Sequence, residues 1–291
     1  MIDLRYIAAN LKTMKHYFFL MMTVFILCFH GYSQLTPQPS SNQTIVQGFG
    51  LGTITLTYSR PNTKGRRIFG YVEPYDKVWR TGANYATVIK FSDDVSIEGN
   101  KVPAGEYGLF SIPGEKQWTI ILSRKPKQWG AYTYNQGDDF LRFVVTPAKL
   151  QQPEETFTLQ FADVYPTSGE LQLLWENTAL VIHLTCDIDA RVMARIDSAM
   201  QTDKKPYYDA VIYYWNNNKD MTKALEWAKQ LEKIPGMLPM VAKLWVARVQ
   251  LKKGDKNAAI ATAQEGIKAA ADIKSDEYIR LNKEVIAEAS K

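Results

Sequence analysis

Thr53-Ile54-Thr55-Leu56-Thr57-Tyr58 alternates polar and apolar residues without a break. Successive side chains of an extended chain point to opposite faces, so Ile54, Leu56 and Tyr58 share one face and three threonines the other. Outward from this stretch the same two-residue period returns in short runs: Tyr85–Phe91, Val95–Val102, Tyr107–Ile112, Trp118–Leu122, Phe140–Val145, Thr156–Val164, Leu171–Trp175 and Leu180–Thr185. Turn-forming clusters separate them, among them Gly99-Asn100, Pro103-Ala104-Gly105, Pro113-Gly114-Glu115, Gly137-Asp138 and Pro166-Thr167-Ser168-Gly169. Many short strands with no helical pattern between them predict an antiparallel β-sandwich or barrel over residues 43–189. A segment of roughly 150 residues can bury a core of its own.

After Asp189 the period becomes helical. Tyr207–Asn217, Met221–Lys233, Leu238–Lys252, Lys256–Ala271 and Asp276–Ser290 read as helices, broken at Asn216-Asn217-Asn218, Ile234-Pro235-Gly236 and Gly254. Asp220-x3-Ala224-Leu225-x2-Ala228 returns as Asp255-x3-Ala259-Ile260-x2-Ala263. A repeat of this length with small residues at helix crossings resembles tetratricopeptide-type helical hairpins. The match is incomplete, because Ala270 stands where the first copy has Pro235. The fold class expected is therefore β plus α in two domains, with residues 190–291 forming helical-hairpin repeats or a plain helical bundle.

The N-terminal region reads as an address. Lys15 and His16 precede an apolar run from Tyr17 to Phe29, and Gly31 and Ser33 place small residues before Gln34. That is the order of an export signal, and the run is short of the ~20 residues that span a bilayer. Residues 1–33 are thus expected to be a signal peptide starting at Met14, and residues 34–42 an extended polar leader. No transmembrane segment is expected after cleavage, and the protein is expected to be periplasmic or secreted. Cys28 does not mark a lipid anchor, since Leu27 occupies a position that requires a small residue.

Removal of that segment simplifies the chemistry. One histidine, His183, and one cysteine, Cys186, remain, too few for a zinc site or an internal disulfide. Their offset of three puts them on opposite faces of a strand, which argues against a Cys–His nucleophile pair. Net charge falls from +5 to +3 when Arg5, Lys12, Lys15 and Asp3 are lost, so charge gives no case for nucleic acid. Gly48-Phe49-Gly50-Leu51-Gly52 lacks the third glycine and the following helix of a dinucleotide loop. Asn135-Gln136-Gly137-Asp138-Asp139 could offer oxygens to Ca²⁺, but such clusters ordinarily serve turns. No cofactor and no metal are expected.

Arg60-Pro61-Asn62-Thr63-Lys64-Gly65-Arg66-Arg67-Ile68-Phe69-Gly70 interrupts the β pattern, and Pro74-Tyr75-Asp76-Lys77-Val78-Trp79-Arg80-Thr81-Gly82-Ala83-Asn84 follows. With Glu106–Gly114, Gln128-Trp129-Gly130-Ala131-Tyr132 and Leu174-Trp175-Glu176-Asn177, these stretches resemble a family of exported bacterial proteins common in the Bacteroidetes, a domain of unknown function (DUF2911). The resemblance runs from about Leu51 to Leu184. It implies an exported β-rich domain, often followed by helical repeats, and supplies no catalytic residue.

The residues themselves point to recognition. Arg60, Lys64, Arg66, Arg67 and Arg80 are suited to clamp a carboxylate, sulfate or phosphate. Trp79, Trp129, Tyr132 and Tyr134 are suited to stack on sugars, and Asn62 and Asn84 to hydrogen-bond hydroxyls. The competing reading is that Arg–carboxylate pairs and buried indoles merely pin a long loop. The leading expectation is a non-enzymatic binding module of the cell envelope, taking a glycan or an anionic group, with the helical segment docking a protein partner. The alternatives are an envelope-polymer hydrolase working through Glu106 and Glu176 or a Ser–Lys pair, and a purely structural scaffold.

Overall fold

The structure, a computed structural model, describes residues 36–291. The expected export signal lies outside the described residues. Two compact units divide after Cys186. The first holds β1 (Ser41–Phe49), β2 (Gly52–Arg60), β3 (Thr87–Phe91), β4 (Val95–Ile97) and β5 (Asn100–Val102). It continues with β6 (Gly105–Ile112), β7 (Trp118–Ser123), β8 (Asp139–Val145), β9 (Ala148–Ala162) and β10 (Ser168–Thr185).

These strands form a six-stranded sheet in the order β1-β2-β3-β6-β7-β8 and a four-stranded sheet in the order β5-β4-β10-β9. Every pairing is antiparallel. Both sheets are open, so the barrel alternative is excluded. Ile54, Leu56 and Tyr58 of β2 turn into the core at 1%, 0% and 2% exposure, as their alternation predicts. They meet Phe157 and Leu159 of β9 and Leu171, Leu173 and Trp175 of β10 in one apolar cluster that both sheets share.

Three features depart from the sequence-based expectation. Residues 41–49 form an edge strand that the strand reading passes over and whose first two residues fall in the expected leader; Gly50 in a left-handed conformation folds it back onto β2. Its alternation is muted because Gln43 and Gln47 stand on the inward face with Ile45 and Phe49, while Val46 points outward. Val95–Val102 splits into two strands at Glu98-Gly99, both with positive φ. Leu171–Trp175 and Leu180–Thr185 belong instead to one long strand, whose pairing shifts register around Glu176. Thr81 and three other non-glycine residues of the β2–β3 connection, Lys64, Asp76 and Asn84, also adopt positive φ. For a β-branched residue such as Thr81 that is a strained conformation.

The strain at Thr81 is held from several sides. Its hydroxyl meets the Ser111 hydroxyl at 2.9 Å, and its carbonyl accepts from the Thr87 hydroxyl at 2.6 Å. The rest of the connection is anchored at both ends. Thr63 N donates to the Glu155 carbonyl, and Trp79 and Ser111 exchange backbone hydrogen bonds. Ile68, Phe69 and Trp79 are buried in the shared core. There Trp79 stacks on Trp175 at 5.7 Å, and Phe69 meets Trp118 edge-on at 4.6 Å.

The second unit comprises α1 (Asp189–Ala199), α2 (Tyr207–Asn216), α3 (Met221–Ala228), α4 (Pro239–Lys253), α5 (Lys256–Asp272) and α6 (Asp276–Ala289). The sequence reading omits α1, which is polar on average and buries Ile196 with Val192 and Met193 partly buried beside it. It also extends α3 too far. The chain tightens into a 3₁₀ turn at Leu231–Lys233 because Pro235 forces Ile234 out of the helical region, to ψ 123°. Asp220 caps α3 by accepting from Thr222 N and Lys223 N. The repeated alanines, Ala224 and Ala228 in one copy and Ala259 and Ala263 in the other, are fully buried. Where α5 meets α6, Gly266 faces the side chain of the buried Asn282.

Candidate functional site

Pro39, Ser40 and the β2–β3 connection line a cavity of about 310 Å³. Asn62, Lys64, Arg66, Glu73 and Arg80 line it, and Pro61, Ala83 and Trp175 complete much of the wall. Four of the ten candidate residues named from sequence, Asn62, Lys64, Arg66 and Arg80, therefore share one concavity.

Each is positioned by local bonding. Asn62 Oδ1 accepts from the Thr156 hydroxyl at 2.9 Å, tying the first loop residues to β9. Arg66 donates from Nε to the Thr63 carbonyl at 2.8 Å and from Nη2 to the Asn62 carbonyl at 2.9 Å. Glu155 accepts from the Thr63 hydroxyl and from Lys64 N, and these two bonds hold its carboxyl below the usual range. Lys64 is thus fixed by its backbone while its ammonium stays exposed. Arg80 follows the buried Trp79, whose indole N–H donates to the Gly82 carbonyl at 3.0 Å. The Arg80 Nε is buried and has no hydrogen-bond partner. A buried guanidinium nitrogen left unpaired is unfavourable, and it marks the place where an acceptor would be stabilising.

Glu73 is the residue that sequence reading passed over. It falls between the two cation-bearing stretches, flanked by Val72 and Pro74. A lone carboxylate in an otherwise apolar turn was the available signal. Its half-buried carboxyl is pushed up from 4.5 to about 7 by loss of solvent, with the Arg80 charge pulling it partly back. Near neutral pH the cavity therefore carries three cations and one carboxylate that is only partly ionised.

The other candidates lie elsewhere. Arg60 binds the Phe157 carbonyl at 3.1 Å and the Thr158 hydroxyl at 2.7 Å, joining β2 to β9. Arg67 is exposed outside the cavity lining. Trp79, at 3% exposure, is core, which is the pinning role weighed against recognition. Asn84 reaches the Ser40 carbonyl and the Ser59 hydroxyl through Nδ2, at 3.4 and 3.3 Å. Trp129 and Tyr132 are exposed on the loop after β7, and Tyr134 turns inward to bond Asp139. Glu106 stands on β6, in the six-stranded sheet, and Glu176 on β10, in the other. Glu176 accepts from Ile68 N, and neither carboxylate lines the cavity.

His183 is exposed and held by Glu98, Nδ1 to Oε1 at 2.9 Å. The Asn135–Asp139 segment is a capped 3₁₀ turn, with Asn135 Oδ1 accepting from Gly137 N. Among the described residues no group of three or more His, Cys, Asp or Glu side chains is placed to hold a metal ion. In the helical unit a second cavity of about 460 Å³ is lined by Trp215, Arg248 and Lys252 of α2 and α4 and by Glu284 and Glu288 of α6. Arg248 and Lys252 lie over the Trp215 ring at 5.6 and 4.8 Å.

Residues 40–184, nearly the whole β unit, match the model of a family described as a protein of unknown function (DUF2911). No curated protein and no solved structure matches the chain. Among the described residues no helix is long and apolar enough to cross a membrane.

Proposed function

We propose that the DUF2911 segment of this chain is a non-enzymatic receptor for a small anionic group, a carboxylate, sulfate or phosphate, and that it works outside the cytoplasm. The carrying observation is the cavity lined by Lys64, Arg66, Arg80 and Glu73, with the Arg80 Nε buried and unpartnered. Guanidinium groups make charge-assisted, directional bonds to oxyanions. The basic start and apolar run before Gln34 support export. The helical unit is read as the seat of a protein partner, supported by the indole-backed cations of its own cavity. A hydrolase through Glu106 and Glu176 is the weaker reading, because they stand on different sheets and off the cavity.

Calorimetric titration with sulfate tests the receptor reading. The wild-type chain is expected to bind sulfate, and Arg80→Ala to lose about ten- to a hundredfold in affinity, as for a hydrogen-bonded charge. Equal sulfate affinity in wild type and Arg80→Ala, or no binding in either, would overturn it.

A further inference from the structure

The loop after β7 turns the hydrophobic effect inside out. Its polar Gln128 is buried at 6% exposure, with Nε2 donating to the Lys125 carbonyl and Oε1 accepting from the Thr133 hydroxyl. Its small Ala131 packs beside Ala86, Phe110 and Ile121. Its largest ring, Trp129, is 57% exposed, and Tyr132 is 83% exposed. Tyr85, 65% exposed, meets Trp129 edge to face at 4.8 Å. Burial of aromatic surface is among the strongest driving forces in folding. Tyr134 alone of the loop's aromatic residues turns inward, against Phe110. A loop that seats Gln128 and Ala131 inside while presenting Trp129 and Tyr132 is shaped by something other than its own stability.

Backbone hydrogen bonds hold two of these aromatic residues together. Ala86 N donates to the Gln128 carbonyl and Gly130 N to the Asn84 carbonyl, clamping Tyr85 and Trp129 side by side. Gly130 sits at φ 68°, and a β-carbon there would come within 2.6 Å of the Tyr132 ring. The three rings are Tyr, Trp and Tyr, each an apolar face ending in a polar tip. Such amphipathic rings match the alternation of C–H faces and hydroxyl edges on a pyranose better than they match an aliphatic surface.

The platform also adjoins the cationic cavity. Ala83 lines that cavity and Tyr85 follows two residues later, so their Cα atoms are at most about 7.6 Å apart. Between them, Asn84 bonds Ser40, another lining residue. We infer that Tyr85, Trp129 and Tyr132 extend the cavity into a binding site for an acidic saccharide, the rings taking the sugar faces and Arg80 with its neighbours the acid group. This rests on the anion-receptor reading and narrows its ligand class.

Calorimetry on the full chain with four probes tests it: sulfate, oligogalacturonate, a heparin-derived tetrasaccharide and a neutral galactose oligomer. At least one acidic saccharide is expected to bind about tenfold or more tighter than sulfate, and the neutral oligomer weakly. Trp129→Ala and Tyr132→Ala are each expected to weaken the acidic saccharide about fivefold or more while leaving sulfate affinity unchanged. Arg80→Ala weakens both. If sulfate binds but neither acidic saccharide binds better, or if the platform variants bind them as wild type does, the inference falls and the anion reading stands. Equal binding of the neutral oligomer, or Trp129-dependent binding to phosphatidylglycerol vesicles in place of saccharide, overturns it as well. Absence of sulfate binding removes the cavity reading beneath it.

Discussion

Replacing Glu73 by Gln separates the cost of the carboxyl's charge from its shape, because the amide mimics the protonated acid. Burial raises this carboxyl from 4.5 to about 7 in the folded protein. Between those values the native state keeps a proton that the unfolded chain has released, so stability falls as pH rises through that window. Below about pH 4.5 both states are protonated and the difference vanishes; above about pH 7 the full penalty applies. At about 1.36 kcal/mol for each pKa unit, the penalty is roughly 3 kcal/mol, and contact with cavity solvent brings it nearer 2. Wild type should thus lose about 2–3 kcal/mol relative to Glu73→Gln between about pH 4.5 and pH 7.5. Urea titration of the full chain, read by hydrogen-exchange protection of β7 amides, isolates the β unit from helical unfolding. Pairing each pH point with the variant cancels every other titrating group. Parallel curves for the two proteins across that window would refute the burial argument, and a difference growing toward acid would reverse its sign.

Sulfate binding should weaken in wild type from about pH 5.5 to about pH 8, as Glu73 ionises beside the bound anion, and stay flat in Glu73→Gln; calorimetry at constant ionic strength reads this. Gly108→Ala places a β-carbon 2.9 Å from the Phe110 ring and 3.2 Å from the Lys125 carbonyl, where the loop crosses the sheet. Overpacking of that kind costs about 1–3 kcal/mol, visible as a lowered urea midpoint without a changed slope. Gly266→Ala would gain up to about 1 kcal/mol on helix propensity alone. Its β-carbon would instead strike the buried Asn282 amide, so the expected sign is destabilising. In an Asn282→Ala background the same change should become stabilising, and far-UV circular dichroism melts of the four proteins give the coupling.

Much of the β unit was legible because its signals are local. The alternation at Thr53–Tyr58 sets which face is inside, and any sheet that buries Ile54, Leu56 and Tyr58 must expose the threonines between them. Edge and irregular strands were harder to read. Ser41–Phe49 is an edge strand with Gln43 and Gln47 on its inward face, and Glu176, at φ 52°, shifts the pairing of a long strand without ending it. The helical half follows the same division. Pro235 announces the end of one segment, whereas the polar average of α1 hides the short stripe of Val192, Met193 and Ile196 that packs into the helical core.

The sequence alone determined that cations and indoles gather in the stretches around Arg60–Asn84 and Gln128–Tyr132, because residue types need no neighbours to be counted. Tertiary structure alone decided which of them are cement. Trp79 and Trp175 lie far apart in the chain yet stack at 5.7 Å, while Trp129 is held outward by the burial of Gln128 beneath its loop. It alone also made Glu73 a cavity residue with a carboxyl raised to about 7. Burial and electric field arise from atoms distant in sequence, and a one-dimensional pattern carries no record of how those atoms meet.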